Sequence, residues 1–210
     1  MANPWEKIDL DRYETHMQSE NVYQLQTLSD ITKQQLNDYP STNVVILGIA
    51  GGNGLDHIDT GRTKKVYGID INREYLDVCK RRYKQLDSVL ELICCDLSDT
   101  DVVLPFSNIL ICNLIVEYLG INQFIDLISN NKGQIETLSC TIQSNKNNSF
   151  VSESDLTAFL DPLMSIHHDI DTEGLMQKLP VTGFCCIKKV TYPLPNGKEF
   201  IRMDFKPFEK

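Results

Sequence analysis

An apolar run that ends in glycines, Asn43-Val44-Val45-Ile46-Leu47-Gly48-Ile49-Ala50-Gly51-Gly52-Asn53-Gly54, constrains this chain more than any other stretch. It reads as a buried strand turning sharply into a helix. Glycines permit φ > 0 and let a ligand approach the backbone with no Cβ in the way, and a following helix would offer unpaired N–H groups and the positive end of its dipole. The next apolar run, Lys65-Val66-Tyr67-Gly68-Ile69-Asp70, ends in a carboxylate sixteen residues after Gly54. A second parallel strand would place that acid beside a ribose, so the two runs together point to a nucleoside-containing cofactor.

After Gly52-Asn53-Gly54 the chain continues Leu55-Asp56-His57, so the last glycine of a dinucleotide fingerprint is missing. There is also no Gly-Lys-Ser/Thr ending, which argues against a nucleoside-triphosphate loop. With these residues the chain resembles the class I S-adenosylmethionine-dependent methyltransferases, as a small bacterial-type single-domain member. Their first motif is an apolar strand followed by acid-x-Gly-x-Gly-x-Gly. Gly48 stands where that family usually has an acid, and Ala50 replaces the first glycine. In the family the acid often helps to hold the cofactor's ammonium group. Here the resemblance implies that backbone carbonyls near Gly48 and the region of Asn113 take over that contact.

The resemblance extends along residues 40 to 143. Leu90-Glu91-Leu92-Ile93-Cys94-Cys95-Asp96 looks like the third strand, ending in an acid that in relatives faces the adenine amino group. Phe106 to Leu119 resembles the fourth strand and the stretch after it, where cofactor and acceptor meet. It implies an α/β, Rossmann-like doubly wound fold with a mostly parallel seven-stranded sheet, a C-terminal antiparallel hairpin and an N-terminal helical lid. It also implies S-adenosyl-L-methionine as cofactor, S-adenosyl-L-homocysteine as product, and a cofactor set of Gly48, Ala50, Gly52, Gly54, Asp70, Ile71, Asp96, Leu97 and Asn113.

Periodicity independently gives an α/β alternation. Val22, Leu25, Leu28 and Ile31 recur at helical spacing between Asn21 and Asn37, and Pro40 ends that helix. Strands are expected near 43–48, 65–70, 90–95, 108–113 and 135–142, with helices near 54–60, 73–86 and 121–130. Asn72 is the expected N-cap of the second of these helices. Alternating strands and helices imply right-handed crossovers and a parallel sheet covered on both faces. Residues 185–192 and 198–205 flank Asn196-Gly197 and read as a hairpin. The chain of 210 residues is expected to be a single domain: a lid segment over 1–40, a cofactor core over 41–143, and a helical insert with the hairpin over 144–210. Within that insert, Ser144 to Ser152 reads as a polar loop followed by one or two helices.

Composition narrows the partners. Twenty Lys and Arg against 29 Asp and Glu give a net charge of −9, whereas nucleic acid calls for a basic face. A small-molecule acceptor is expected instead. The amino terminus lacks a basic region followed by an apolar stretch, and no apolar run approaches a membrane span, so no membrane partner and a cytoplasmic location are expected. Cys94, Cys95, Cys112, Cys140, Cys185 and Cys186 fall in expected strands, where reduced cysteine behaves as a small apolar residue. They make no Cys-x-x-Cys, and the four histidines supply no zinc pattern, so no metal is expected.

Acceptor-side candidates come from two places. Glu117 and Tyr118 follow the fourth strand at the carboxyl edge of the sheet, where doubly wound folds bind ligands. Trp5, Tyr13, His16, Met17 and Tyr23 precede the first strand, where relatives fold a lid over the cofactor. Tyr13, His16, Glu117 and Tyr118 are therefore the candidates for the acceptor pocket. A sulfonium methyl is already activated, so methyl transfer needs chiefly alignment, and a general base only for some acceptors. The sequence has no Gly-x-Ser-x-Gly elbow, no Pro-Cys after the fourth strand, and no Asn/Asp-Pro-Pro-aromatic motif. Two other readings remain open: a non-catalytic domain that binds the cofactor or its product, and an aminopropyl transferase, which usually adds a pair of acids where this chain has Glu117 alone.

Overall fold

A computed structural model describes residues 3–145 and 157–208. Residues 146–152 of the expected polar loop lie outside the described residues. After a 3₁₀ turn over Pro4–Lys7 come helices α1 (Leu10–Gln18) and α2 (Gln24–Asp38), then β1 (Asn43–Leu47), β2 (Lys65–Asp70), α3 (Arg73–Arg82), β3 (Leu90–Cys94), β4 (Ile109–Asn113), α4 (Val116–Asn131), β5 (Leu138–Ser144), α5 (Thr172–Lys178), β6 (Phe184–Pro193) and β7 (Glu199–Pro207). The seven strands form one sheet in the order β3-β2-β1-β4-β5-β7-β6. Strands β1 to β5 are parallel, and β7 runs antiparallel to both β5 and β6. Seven strands with a C-terminal antiparallel hairpin is the architecture expected from the sequence.

The sheet is covered on both faces because its two central strands are apolar over Val44–Leu47 and Ile109–Cys112. Val45 and Leu47 of β1 pair with Leu110 and Cys112 of β4 and pack with Phe124 and Leu127 of α4. The alternate residues Val44 and Ile46, beside Ile109 and Ile111, pack with Leu76 and Cys79 of α3. This alternation is the period-2 geometry of a strand buried on two sides. Asn72 caps α3 as expected, its Oδ1 accepting the N–H groups of Glu74 at 2.9 Å and Tyr75 at 3.3 Å.

Several expectations need correction. The helix expected over 54–60 is a single 3₁₀ turn, Leu55–His57. Gly52 and Gly54 both take left-handed backbone, at φ 94° and 92°, and beyond the turn Asp59 folds its carboxylate onto the Gly61 N–H at 2.9 Å, so no second helical turn forms. The helix expected from 121 begins at Val116 and is kinked at Gly120, where φ is 72°. Strand β5 begins at Leu138 rather than 135, Ile135 making only an isolated bridge to Ser107. Cys95 lies just past β3, and Cys94 and Cys186 are exposed rather than packed as apolar residues.

Candidate functional site

The carboxyl ends of β1, β2, β3 and β4 open into a cavity of about 170 Å³, roofed by the amino-terminal segment. Its floor is the turn after β1. Gly48 and Ala50 both have positive φ, 66° and 47°, and Leu114 at the end of β4 has φ 58°. Two of the three non-glycine residues in left-handed conformation among the described residues therefore line this one cavity, the clustering expected where backbone strain shapes a ligand site. Ala50 is held there by Asp70, whose Oδ2 accepts the Ala50 N–H at 2.9 Å while Oδ1 accepts the Asn72 N–H at 2.9 Å. Asp70 is only 8% exposed. Burial raises its pKa above the ordinary carboxylate value, against the opposing pull of the Asn72, Ala50 and Ile71 amides.

An acid at position 48 would be strained in this backbone. A Cβ on it would lie 2.2 Å from Ile115 Cδ1, and its φ of 66° is one that side-chain-bearing residues rarely take. A carboxylate reaches the same turn from another element. Glu14 of α1 lines the cavity and makes a two-pronged ion pair with Arg82 of α3, at 2.6 and 2.7 Å. Its Oε1 sits where a Cβ on Gly51 would be, 2.3 Å away. The ion pair ties the lid to α3 across the glycine turn.

Ile71, Asp96, Leu97 and Asn113 also line the cavity. Asp96 Oδ1 accepts the N–H and hydroxyl of Ser98, at 2.9 and 2.7 Å. The Asn113 amide pairs with Gln35 of α2, accepting from Nε2 at 3.0 Å and donating to Oε1 at 3.2 Å, and also donates to Thr32 Oγ1 at 3.2 Å. Gly52 and Gly54 do not reach the cavity wall. They let Tyr83 and the Thr32 side chain pack against the outside of the turn, where a Cβ would lie 2.5 Å and 2.7 Å from them respectively.

Beside this cavity lies a smaller chamber of about 40 Å³, sharing Tyr13, Met17, Leu114 and Tyr118 with it. All four acceptor-side candidates, Tyr13, His16, Glu117 and Tyr118, line the chamber. Glu117 is 2% exposed. Its Oε1 accepts the Gln143 N–H at 2.7 Å, while Oε2 is buried with no hydrogen-bond partner among the described residues. Burial pushes its pKa up to about 7, more than the Gln143 amide offsets. Burial lowers the pKa of His16, with a further push from the charge of Lys198, and raises that of Tyr118 well above the usual phenol value. Trp5 stands edge-on to both Tyr13 and Tyr118, with centroids 5.3 and 4.9 Å apart. Tyr23 does not join them: it is 47% exposed and precedes α2 in left-handed backbone.

The lining carries Glu14, Asp70 and Asp96 in the larger cavity and Glu117 in the smaller, and neither is lined by a lysine or arginine among the described residues. The turn after β1 leads into a 3₁₀ turn rather than an α-helix, so it offers a pyrophosphate no helix dipole of its own. The described residues also include no group of three or more His, Cys, Asp or Glu that could hold a metal, and no helix long and apolar enough to cross a membrane.

Among solved structures, magnesium protoporphyrin IX methyltransferase from Synechocystis PCC 6803 with bound S-adenosylmethionine superposes with a TM-score of 0.73 at 10% identity, covering 99% of this chain and 98% of that one. This chain has the class I S-adenosylmethionine-dependent methyltransferase fold. An S-adenosylmethionine-dependent methyltransferase from Clostridium acetobutylicum ATCC 824 gives 0.67 at 11% identity, covering 96% of this chain and 100% of that one. The N-methyltransferase NodS from Bradyrhizobium japonicum WM9, in complex with S-adenosylhomocysteine, gives 0.66 at 12% identity, covering 99% and 100%. No protein-family model and no curated protein matches this chain.

Glu14 and Gln143 carry no sequence signal for their places in the site. Glu14 is one of two acids on α1, and only the tertiary contact with Arg82 brings it over the glycine turn.

Proposed function

We propose that this chain is an S-adenosylmethionine-dependent methyltransferase acting on a small-molecule acceptor. The observation that carries this reading is the charge of the cavity: carboxylates line it without a lysine or arginine among the described residues, above a glycine turn that leads into no α-helix. That lining suits a nucleoside carrying positive charge and repels a pyrophosphate. In this reading Asp70 holds the ribose, Asp96 and Leu97 border the adenine, and Gly48, Ala50, Ile71 and Asn113 complete the cofactor contacts. Gly52 and Gly54 shape the turn from outside. The ammonium group, deprived of an acid at Gly48, is held by backbone carbonyls of the Gly48 turn and the Asn113 region.

Bound there, the cofactor supplies an already activated methyl group on sulfur. The chain has to align an acceptor and exclude water, and positioning of that kind is worth on the order of 7–11 kcal/mol. Trp5, Tyr13 and Met17 close the cavity from above, and the chamber holding Glu117 opens from its side. A cytoplasmic protein acting on a metabolite, without nucleic acid or membrane, fits the net charge of −9. A non-catalytic binding domain is the second reading, and the replaced acid at Gly48 is the observation in its favour.

Incubation of the protein with methyl-labelled S-adenosylmethionine and metabolite extracts tests the choice. Label appearing in a low-mass product, with S-adenosylhomocysteine formed in equal amount, is the expected result. Cofactor that binds but is never consumed across broad extracts would move the assignment to the binding domain.

A further inference from the structure

The chamber beside the cavity is built around a buried carboxylate whose free oxygen no group among the described residues answers. Glu117 projects from the first turn of α4, its Oε1 fixed by the backbone of β5 and its Oε2 unpartnered among the described residues. A buried carboxylate oxygen without a donor is costly, and a ligand that brings a donor or a positive charge relieves that cost. The rim shared with the larger cavity carries the rings of Tyr13 and Tyr118, and Trp5 of the larger cavity stands edge-on to both. Aromatic rings around a carboxylate form a surface that attracts cations.

Resting on the methyltransferase reading, we infer that the acceptor is a small primary or secondary amine, bound as its ammonium ion in this chamber with Glu117 Oε2 as its counter-ion and proton acceptor. One N–H proton passes to Oε2, so that R–NH3⁺ and carboxylate become R–NH2 and carboxylic acid, and the nitrogen lone pair is freed. The proton leaves Glu117 for water when the product departs. An acceptor bound through its own carboxylate or phosphate would instead need a cation in the lining, and the described lining has only His16, whose pKa is lowered.

The charged and titratable neighbours are consistent with this assignment. From α1, Tyr13 faces Glu117 and its own ionisation is suppressed by burial and by Asp70, Glu14 and Glu117. Tyr118, next to Glu117 on α4, and Cys140 of β5 are likewise held neutral. The His168 N–H donates to the Glu117 main-chain carbonyl at 2.7 Å, and His167 is held neutral by burial, its pKa lowered to about 4. Lys198, between β6 and β7, acts on His16 and His167.

The test uses the full chain saturated with S-adenosylhomocysteine and titrates ethylammonium chloride, 1-propanol and sodium propanoate by calorimetry or NMR, in wild type and in Glu117→Gln. Glutamine keeps the bond to the Gln143 amide, and unchanged S-adenosylhomocysteine affinity reports that the variant is folded. Wild type should prefer ethylammonium to the other two probes by at least tenfold at pH 8. That affinity should fall about tenfold per pH unit below pH 7 as Glu117 takes up a proton. Glu117→Gln should lose the preference and the pH dependence together. Equal ethylammonium affinity in the two proteins, or a preference for propanoate, overturns the inference while leaving the cofactor reading intact. Failure of S-adenosylhomocysteine to bind wild type overturns both.

Discussion

Replacing Glu117 by glutamine should change how stability depends on pH, in a direction and amount set by its burial. In the unfolded chain the carboxyl ionises near its ordinary value of 4.5, whereas in the folded chain burial holds it protonated up to about 7. Between those values the folded state keeps a proton that the unfolded state releases. Folding stability from this group is therefore full below pH 4.5, declines as pH rises to about 7, and stays low above it. The gap between 4.5 and about 7, at about 1.4 kcal/mol per pH unit, amounts to roughly 3 kcal/mol. Glutamine is neutral throughout and can keep the 2.7 Å bond from the Gln143 amide. The variant should match wild type near pH 5 and exceed it at pH 8 by up to roughly 3 kcal/mol, about 6–12 °C in Tm for a chain of this size. Thermal melts of both proteins from pH 4.5 to 8.5 measure the difference, in which every other titrating group cancels. Parallel curves, or a variant less stable at pH 8, would refute the buried, proton-retaining carboxyl.

Other perturbations read the cofactor cavity. Asp70→Ala should weaken S-adenosylhomocysteine binding by one to two decades, about 1.5–3 kcal/mol. It should also lower Tm, because the Ala50 and Asn72 amides lose their acceptor; unchanged affinity in a folded variant would contradict the assignment. Gly48→Asp, which restores the family's acid, should destabilise the protein by about 1–3 kcal/mol without tightening cofactor binding, since the added Cβ meets Ile115 at 2.2 Å on left-handed backbone; a stable variant with tighter binding would show that the turn accepts an acid. Removing residues 1 to 20 takes away Trp5, Tyr13, Glu14 and Met17 from the cavity wall and should abolish methyl transfer while the sheet persists at reduced stability. Full turnover by the truncated protein would rule out a functional lid.

The central strands β1 and β4 were legible because each is a short run of apolar residues, and burial on both faces needs no periodicity finer than that. Asn72 was legible as a cap because its signal is local. The helix after β1 was misread because the glycines at 52 and 54 do not announce in one dimension that both will turn left-handed and break it. The site divides the same way. Asp70 and Asn113, which end strands, and Asp96, two residues past β3, follow from where an apolar run stops. Glu14 and the burial of Glu117 do not, since the first depends on a contact with Arg82, 68 residues away, and the second on the amide of Gln143, 26 residues away. Tyr23, read with the lid aromatics, is turned to solvent by the left-handed backbone that precedes α2.

The central claim is that the acidic, glycine-floored cavity takes S-adenosylmethionine, and calorimetric titration of the full chain with S-adenosylhomocysteine and, separately, with NAD tests it most directly. The account predicts saturable one-to-one binding of S-adenosylhomocysteine and no measurable binding of NAD, whose pyrophosphate meets Asp70 and Asp96 with no lysine or arginine in the described lining and no α-helix starting from the glycine turn. Equal binding of NAD, or no binding of S-adenosylhomocysteine, would contradict it.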